Sequence, residues 1–74
     1  MRIKKILGMR VLDVDANDIG KIGDIEFNYE TGVIDEIAVS LKKNILSRDE
    51  ILIPYDNIKS IGDYVLLKVD INLD

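Results

Sequence analysis

The chain has no cysteine, no histidine and no tryptophan, and only one proline and one phenylalanine in 74 residues. Each absence removes a class of chemistry. Without cysteine no disulfide can staple the fold, and no thiolate can act as a nucleophile or metal ligand. Without histidine the usual ligand for zinc, copper and nickel is missing, as is the general base of Ser-His and Cys-His catalysis. Ser40, Ser47 and Ser60 stand in neither a nucleophile-elbow nor a Ser-x-x-Lys context. There is no glycine-rich phosphate loop. No apolar run approaches the ~18 residues that would suggest a membrane-spanning helix. The opening MRIKKILGMR is basic, but its apolar stretch is too short for a secretory signal. The expected location is cytoplasmic.

What the chain does have is Ile, Leu and Val: 47% of it is hydrophobic and only 5% aromatic. The core is therefore expected to be aliphatic. A chain this short buries only about 60% of the surface that its unfolded form exposes, so a homodimer, which would bury more, is expected. Fourteen acidic residues oppose ten basic ones, for a net charge of −4. Such a surface repels phosphate backbones and makes nucleic acid an unfavourable partner. The two basic clusters, Arg2, Lys4, Lys5 and Lys42, Lys43, Arg48, read as solvated surface.

Hydrophobic periodicity gives short β-branched runs broken by turn residues, with no sustained helical period. Strands are expected at Lys5 to Val14, Ile19 to Asn28, Val33 to Leu41, Glu50 to Ile53, Ile58 to Ile61 and Tyr64 to Val69. In the third, Val33, Ile37, Val39 and Leu41 form an apolar face interrupted by Asp35, while Glu36 and Ser40 point the other way with Ala38 between them. A helix would group Ile34, Ile37, Ala38 and Leu41, but the β-branched content and flanking turns favour a strand. Asp15-Ala16-Asn17-Asp18 and Tyr29-Glu30-Thr31-Gly32 read as turns, and Gly20 and Gly23 as bends or bulges within a strand. Pro54 ends its strand, and Tyr55-Asp56-Asn57 follows as a single helical turn. The expected fold is all-β: one domain over residues 1–74, a small six-stranded antiparallel barrel-like unit with at most one helical turn, after Pro54. Gly20, Gly23, Gly32 and Pro54 are its expected structural positions.

Acidic pairs such as Asp13 and Asp15, Asp24 and Glu26, Asp35 and Glu36, and Asp49 and Glu50 are frequent. Acid–base work needs two carboxyl groups in one pocket with separated pKa values, and a barrel this small fills its interior with side chains. These pairs read as surface charge. No catalytic residue, cofactor or metal site is expected. The weak metal candidates are Asp13, Asp15 and Asn17, at the first three ligand spacings of a calcium loop, with Asp24 at the twelfth. Asp18 stands where that loop needs glycine, and the flanks read as strands. Of the aromatics, Phe27 is expected in the core, and Tyr29, Tyr55 and Tyr64 at barrel edges beside Glu30, Asp56 and Asp63. Ile45 and Leu46 lie in a polar loop, as an exposed apolar tip or tucked inward. With Tyr55 they are the interface candidates.

Three segments taken in order, VLDVDANDIGKIGDIEFNYETG (Val11 to Gly32), VIDEIAVSL (Val33 to Leu41) and ILIPYDNIKSIGDYVLL (Ile51 to Leu67), resemble the PRC-barrel family. Each is weak alone; their order is what makes the resemblance specific. It implies a six-stranded barrel-like domain without catalytic residues, doing adaptor work between proteins. The family includes stand-alone archaeal and bacterial members of about this length; the layout is closest to the archaeal type, some members of which take part in cell-division assemblies. The resemblance thus implies a non-catalytic interaction module of a cytoplasmic assembly with protein partners. The alternative it carries is a role in RNA processing or ribosome maturation, by analogy with the maturation factor RimM, and the acidic composition speaks against that.

Overall fold

The computed structural model describes residues 1–41 and 49–71. Ile45, Leu46 and the basic cluster Lys42, Lys43, Arg48 lie outside the described residues, as does the end of the tail. The elements are α1 (Ile3–Ile6), β1 (Arg10–Leu12), β2 (Asp18–Phe27), β3 (Ile34–Leu41), β4 (Glu50–Pro54), a 3-10 turn (Tyr55–Asn57), β5 (Ile58–Ile61) and β6 (Val65–Leu67). They form one six-stranded sheet in the order β4-β3-β2-β1-β6-β5. The all-β expectation holds, and so does the helical turn after Pro54.

Two corrections concern the sheet. It is not wholly antiparallel, because β1 and β6 pair in parallel, Val11 with Val65 and Leu12 with Leu66. Nor is it closed, since β4 and β5 are its two edges. Both features follow from the segment Pro54–Asn57. Strands β1 to β4 alternate in direction through antiparallel pairings. β5 is antiparallel to β6 and β6 parallel to β1, so β5 runs in the same sense as β4. The 3-10 turn therefore does not reverse the chain as a hairpin would. It carries the chain from one edge of the sheet to the other.

That crossing also curls the sheet. Edge strands of a flat six-stranded sheet would lie ~24 Å apart, five spacings of ~4.8 Å. The chain from Pro54 to Ile58 can span at most ~14 Å. The two edges must approach each other, and the concave face so formed is the core. It comprises Ile6, Val11, Ile19, Ile22, Ile37, Val39, Ile53, Val65 and Leu67. Pairs such as Ile37 with Ile53 and Ile22 with Val39 share this face because directly opposite residues project to the same side.

Pro54 suits an edge strand for a reason the ladder supplies. The Leu41 N–H donates to the Asp49 carbonyl at 3.0 Å, which makes Leu41 and Asp49 a hydrogen-bonded pair. Alternation along the antiparallel register then makes Val39 with Ile51 and Ile37 with Ile53 hydrogen-bonded, and Glu36 with Pro54 not. The missing N–H of Pro54 thus faces away from β3, where it costs the ladder nothing.

The first expected strand is also corrected. Instead of one strand from Lys5 to Val14 there is a short helix, a bend and a three-residue strand. Gly8, at φ +84°, takes the left-handed position that commonly follows a helix end. The bend brings Ile6 into the core while Ile3 and Leu7 stay exposed. Two aromatic and aliphatic placements change as well: Phe27 is 57% exposed rather than core, and Val33 is 59% exposed rather than on the buried face of its strand.

Two glycines differ sharply in what surrounds them. At Gly20 (φ +148°) an added Cβ would come within 2.0 Å of the Ser40 carbonyl oxygen, because the β2 and β3 backbones approach closely there. At Gly32 (φ +75°) a Cβ would meet nothing within 4 Å, so only the backbone angle resists substitution. Gly20→Ala should cost more than ~3 kcal/mol, because rigid backbone must move. Gly32→Ala should cost roughly 1 kcal/mol, the penalty of a left-handed residue. Urea unfolding of both variants measures the difference; equal losses would show that the close approach at Ser40 is not a constraint.

Candidate interaction surface

The Asp13 turn was the place where sequence spacing gave weak metal candidates. Asp13 is buried, at 2% exposure, and its carboxylate works as an acceptor for its own turn. Oδ1 accepts from the Asp15 N–H and the Asn17 N–H, both at 2.9 Å, and Oδ2 accepts from the Asn17 side-chain amide at 3.2 Å. Ala16 takes the left-handed angle (φ +66°) within this turn, not Asn17 or an aspartate. Asp24 is elsewhere, six residues beyond Asp18 along β2, or ~20 Å at the rise of a strand. Its Oδ1 accepts from the Ile25 N–H at 2.8 Å. Among the described residues no three acidic side chains gather as a metal would require.

The Asn17 N–H is the strongest of the donors that hold the Asp13 carboxyl below its ordinary value. Burial works against this, and the Asn17 side chain, the Asp15 N–H and the Ile71 N–H reinforce it. The sign follows from linkage. A carboxyl whose folded pKa lies below its unfolded value of ~3.9 stabilises the fold at pH above that value, and the contribution disappears as pH falls through the folded pKa. Asp13→Asn should therefore be less stable than the wild type at neutral pH, with the gap closing as pH falls below the unfolded value and through the folded pKa. Melting curves of both chains across pH check this; a gap independent of pH would mean that the charge of Asp13 contributes nothing.

The β2–β3 hairpin end is the other feature built from local chemistry. Asn28 starts its loop: Oδ1 accepts from the Glu30 N–H at 2.9 Å and the Thr31 N–H at 3.2 Å. The Gly32 N–H donates to the Asn28 carbonyl at 2.7 Å, and the Thr31 hydroxyl oxygen accepts from the Val33 N–H at 3.2 Å. Asn, Thr and a left-handed Gly are the residue types that such a loop needs. The result is a firm end that holds Phe27, Tyr29 and Val33 in water; Tyr29 is 84% exposed. Tyr55 joins the same end of the sheet. Phe27 pairs with Ile34, and two residues further along β3 Glu36 pairs with Pro54, the residue before Tyr55.

Acidic side chains rim this end. From Ile22 to Leu41 there are five acidic residues, Asp24, Glu26, Glu30, Asp35 and Glu36, and no lysine or arginine. Asp56 extends the pattern beside Tyr55; the segment from 50 to 58 also lacks a base, although its other acid, Glu50, pairs with Ser40 at the far end of β3. The described lysines and arginines, Arg2, Lys4, Lys5, Arg10, Lys21, Lys59 and Lys68, lie outside residues 22–41 and 50–58; Lys21 is on β2 opposite Ser40, away from the hairpin end, and the Lys68 N–H donates to the Asn57 carbonyl. The ion pair Arg10–Asp18, at 2.9 Å, lies between β1 and β2.

The PRC-barrel domain model matches residues 1–72. The chain belongs to the PRC-barrel family. A search of the curated proteins finds no match. The resemblance read from the three ordered segments is therefore correct, and it carries with it the general character of the family: PRC-barrel domains are protein-interaction modules and are generally non-catalytic. No helix among the described residues is long and apolar enough to cross a membrane.

Of the interface candidates in this PRC-barrel chain, Tyr55 is partly exposed at 40% and sits at the hairpin end, while Ile45 and Leu46 fall outside the described residues. Phe27, Tyr29 and Val33 were not among those candidates. The readable signal for them was the turn cluster Asn28 to Gly32 that they belong to or flank, because loop tips lie at the surface.

Proposed function

We propose that this chain is a non-catalytic adaptor module of a cytoplasmic assembly, and that it engages a protein partner through the β2–β3 hairpin end. The observation that carries this reading is the exposure of Phe27, at the end of β2, and of Tyr29 and Val33 in the hydrogen-bonded loop that follows. Leaving Phe27 57% exposed forgoes roughly 1–2 kcal/mol of burial free energy, a substantial sacrifice in a fold with so small a core. Aromatic residues held rigidly lose little entropy on binding and are enriched among residues that dominate interface energy. Membership of a family of interaction modules supports the same reading.

The test is a paired capture experiment with the wild-type chain and the Phe27→Ser/Tyr29→Ser variant as baits in extract of the native cell. The variant should melt within about 1 kcal/mol of the wild type, because both side chains are largely solvated. Proteins retained by the wild type and lost from the equally stable variant support the reading; an unchanged set rejects it. The single domain over residues 1–74 and the homodimer are further parts of the proposal. Sedimentation of the wild-type chain should give about twice its 8.4 kDa mass, and a monomer mass at micromolar concentration would remove the dimer.

A further inference from the structure

We infer that the partner at the hairpin end is a basic polypeptide segment carrying apolar anchor residues, not a twofold-related copy of this chain. The inference rests on the reading of that end as the docking surface and adds its chemistry. Phe27, Tyr29 and Val33, with Tyr55 at the same end of the sheet, supply exposed apolar side chains. Asp24, Glu26, Glu30, Asp35 and Asp56 are exposed in the same segments, Glu36 is half-buried, and none of the six makes an ion pair with another described residue. Exposed apolar side chains among charges of one sign are complementary to lysine or arginine flanking apolar side chains.

The same charge pattern excludes a second copy by symmetry. A twofold interface places a patch against itself, so these acids would face their own counterparts, and like charges held face to face are strongly unfavourable. A head-to-tail contact would have to offer a base-rich apolar surface from the rest of the molecule. Of the exposed large apolar residues there, Val14 and Tyr64 stand beside Asp13, Asp15 and Asp63. Among the described residues, Leu52 stands between Ile51 and Ile53 with no base beside it, and only Met1, Ile3 and Leu7 lie on or next to a basic segment, whose helix spans just four residues. Nucleic acid is ruled out by charge, since the aromatics are rimmed by carboxylates rather than by cations.

The experiment uses the full-length chain labelled with 15N and three short synthetic peptides: one alternating Lys/Arg with Leu and Trp, one with the bases replaced by Glu, and one with the apolar residues replaced by Ser. The first should shift the amides of residues 26–36 and 55–56. Its affinity should fall about tenfold between low and physiological-to-high salt, and about fivefold or more in Phe27→Ser. Glu26→Gln/Glu30→Gln should weaken binding and flatten its salt dependence while leaving the melting temperature unchanged. Equal binding of the acidic peptide, binding of the Ser peptide as tight as the first, shifts confined to other strands, or no shift at all would overturn the inference. So would concentration-dependent shifts at 26–36 in the chain alone, which would mark a second copy as the occupant. If the peptides fail while the paired capture still shows partners lost with Phe27 and Tyr29, the docking surface stands and only its basic chemistry is wrong. If the capture sets are identical, the docking surface itself is wrong.

Discussion

The fold depends on one short constraint, the corner at Pro54–Asn57 that carries the chain between opposite edges of the sheet without reversing it. Because the corner is too short to cross a flat sheet, the sheet curls. Because it preserves direction, β6 must return parallel to β1. The curl also sets what can be inside. A strongly curved six-stranded sheet encloses a narrow space that must be filled at close-packed density, and all nine residues of the core cluster are Ile, Val or Leu. Phe27, Tyr29, Tyr55 and Tyr64 all lie outside it.

Strands were legible where one face is buried and turn residues bound the run. β3 and β5 illustrate this: Ile37 and Val39 alternate inward as expected, and Ile58–Ile61 has the boundaries that the pattern gives. The parallel pair was not legible, because strand periodicity carries no information on direction and Pro54-Tyr55-Asp56-Asn57 has the composition of a reversing turn. α1 was hidden by its β-branched isoleucines, although Gly8 two residues after Ile6 is the mark of a helix end. Val33 and Phe27 were misread for a shared reason. Alternation assigns a face, but whether that face is covered depends on how far neighbouring strands extend. The bulges in β2 and β3 then break the alternation itself, between Ile22 and Asp24 and between Glu26 and Phe27.

Asp13 shows the same limit from the polar side. Its spacing to Asp15 and Asn17 suits a cation loop and equally suits a carboxylate that accepts its own turn's N–H groups. What separates the two is burial, and burial is decided by Val69 and Ile71 crossing the turn: the Val14 N–H donates to the Val69 carbonyl at 3.0 Å, and the Ile71 N–H reaches Asp13. Those contacts are some 55 residues away in sequence, beyond any local pattern.

The hairpin end is exposed because the fold leaves it no cover. β2 has ten residues, yet β1 pairs with it only as far as Lys21, and the Met9 and Gly8 backbone bonds reach Ile22. Beyond that point β2 has β3 on one side and, among the described residues, no strand on the other. An uncovered edge of this kind invites addition of another chain. Here Asp24 occupies the Ile25 N–H with its own carboxylate, and Glu26 stands one residue further on. The charge that deters copies of the chain from adding to this edge is the charge that favours a cationic partner. A geometric remainder of the fold, the part of a long strand that its neighbour cannot reach, thereby becomes a surface with defined chemistry.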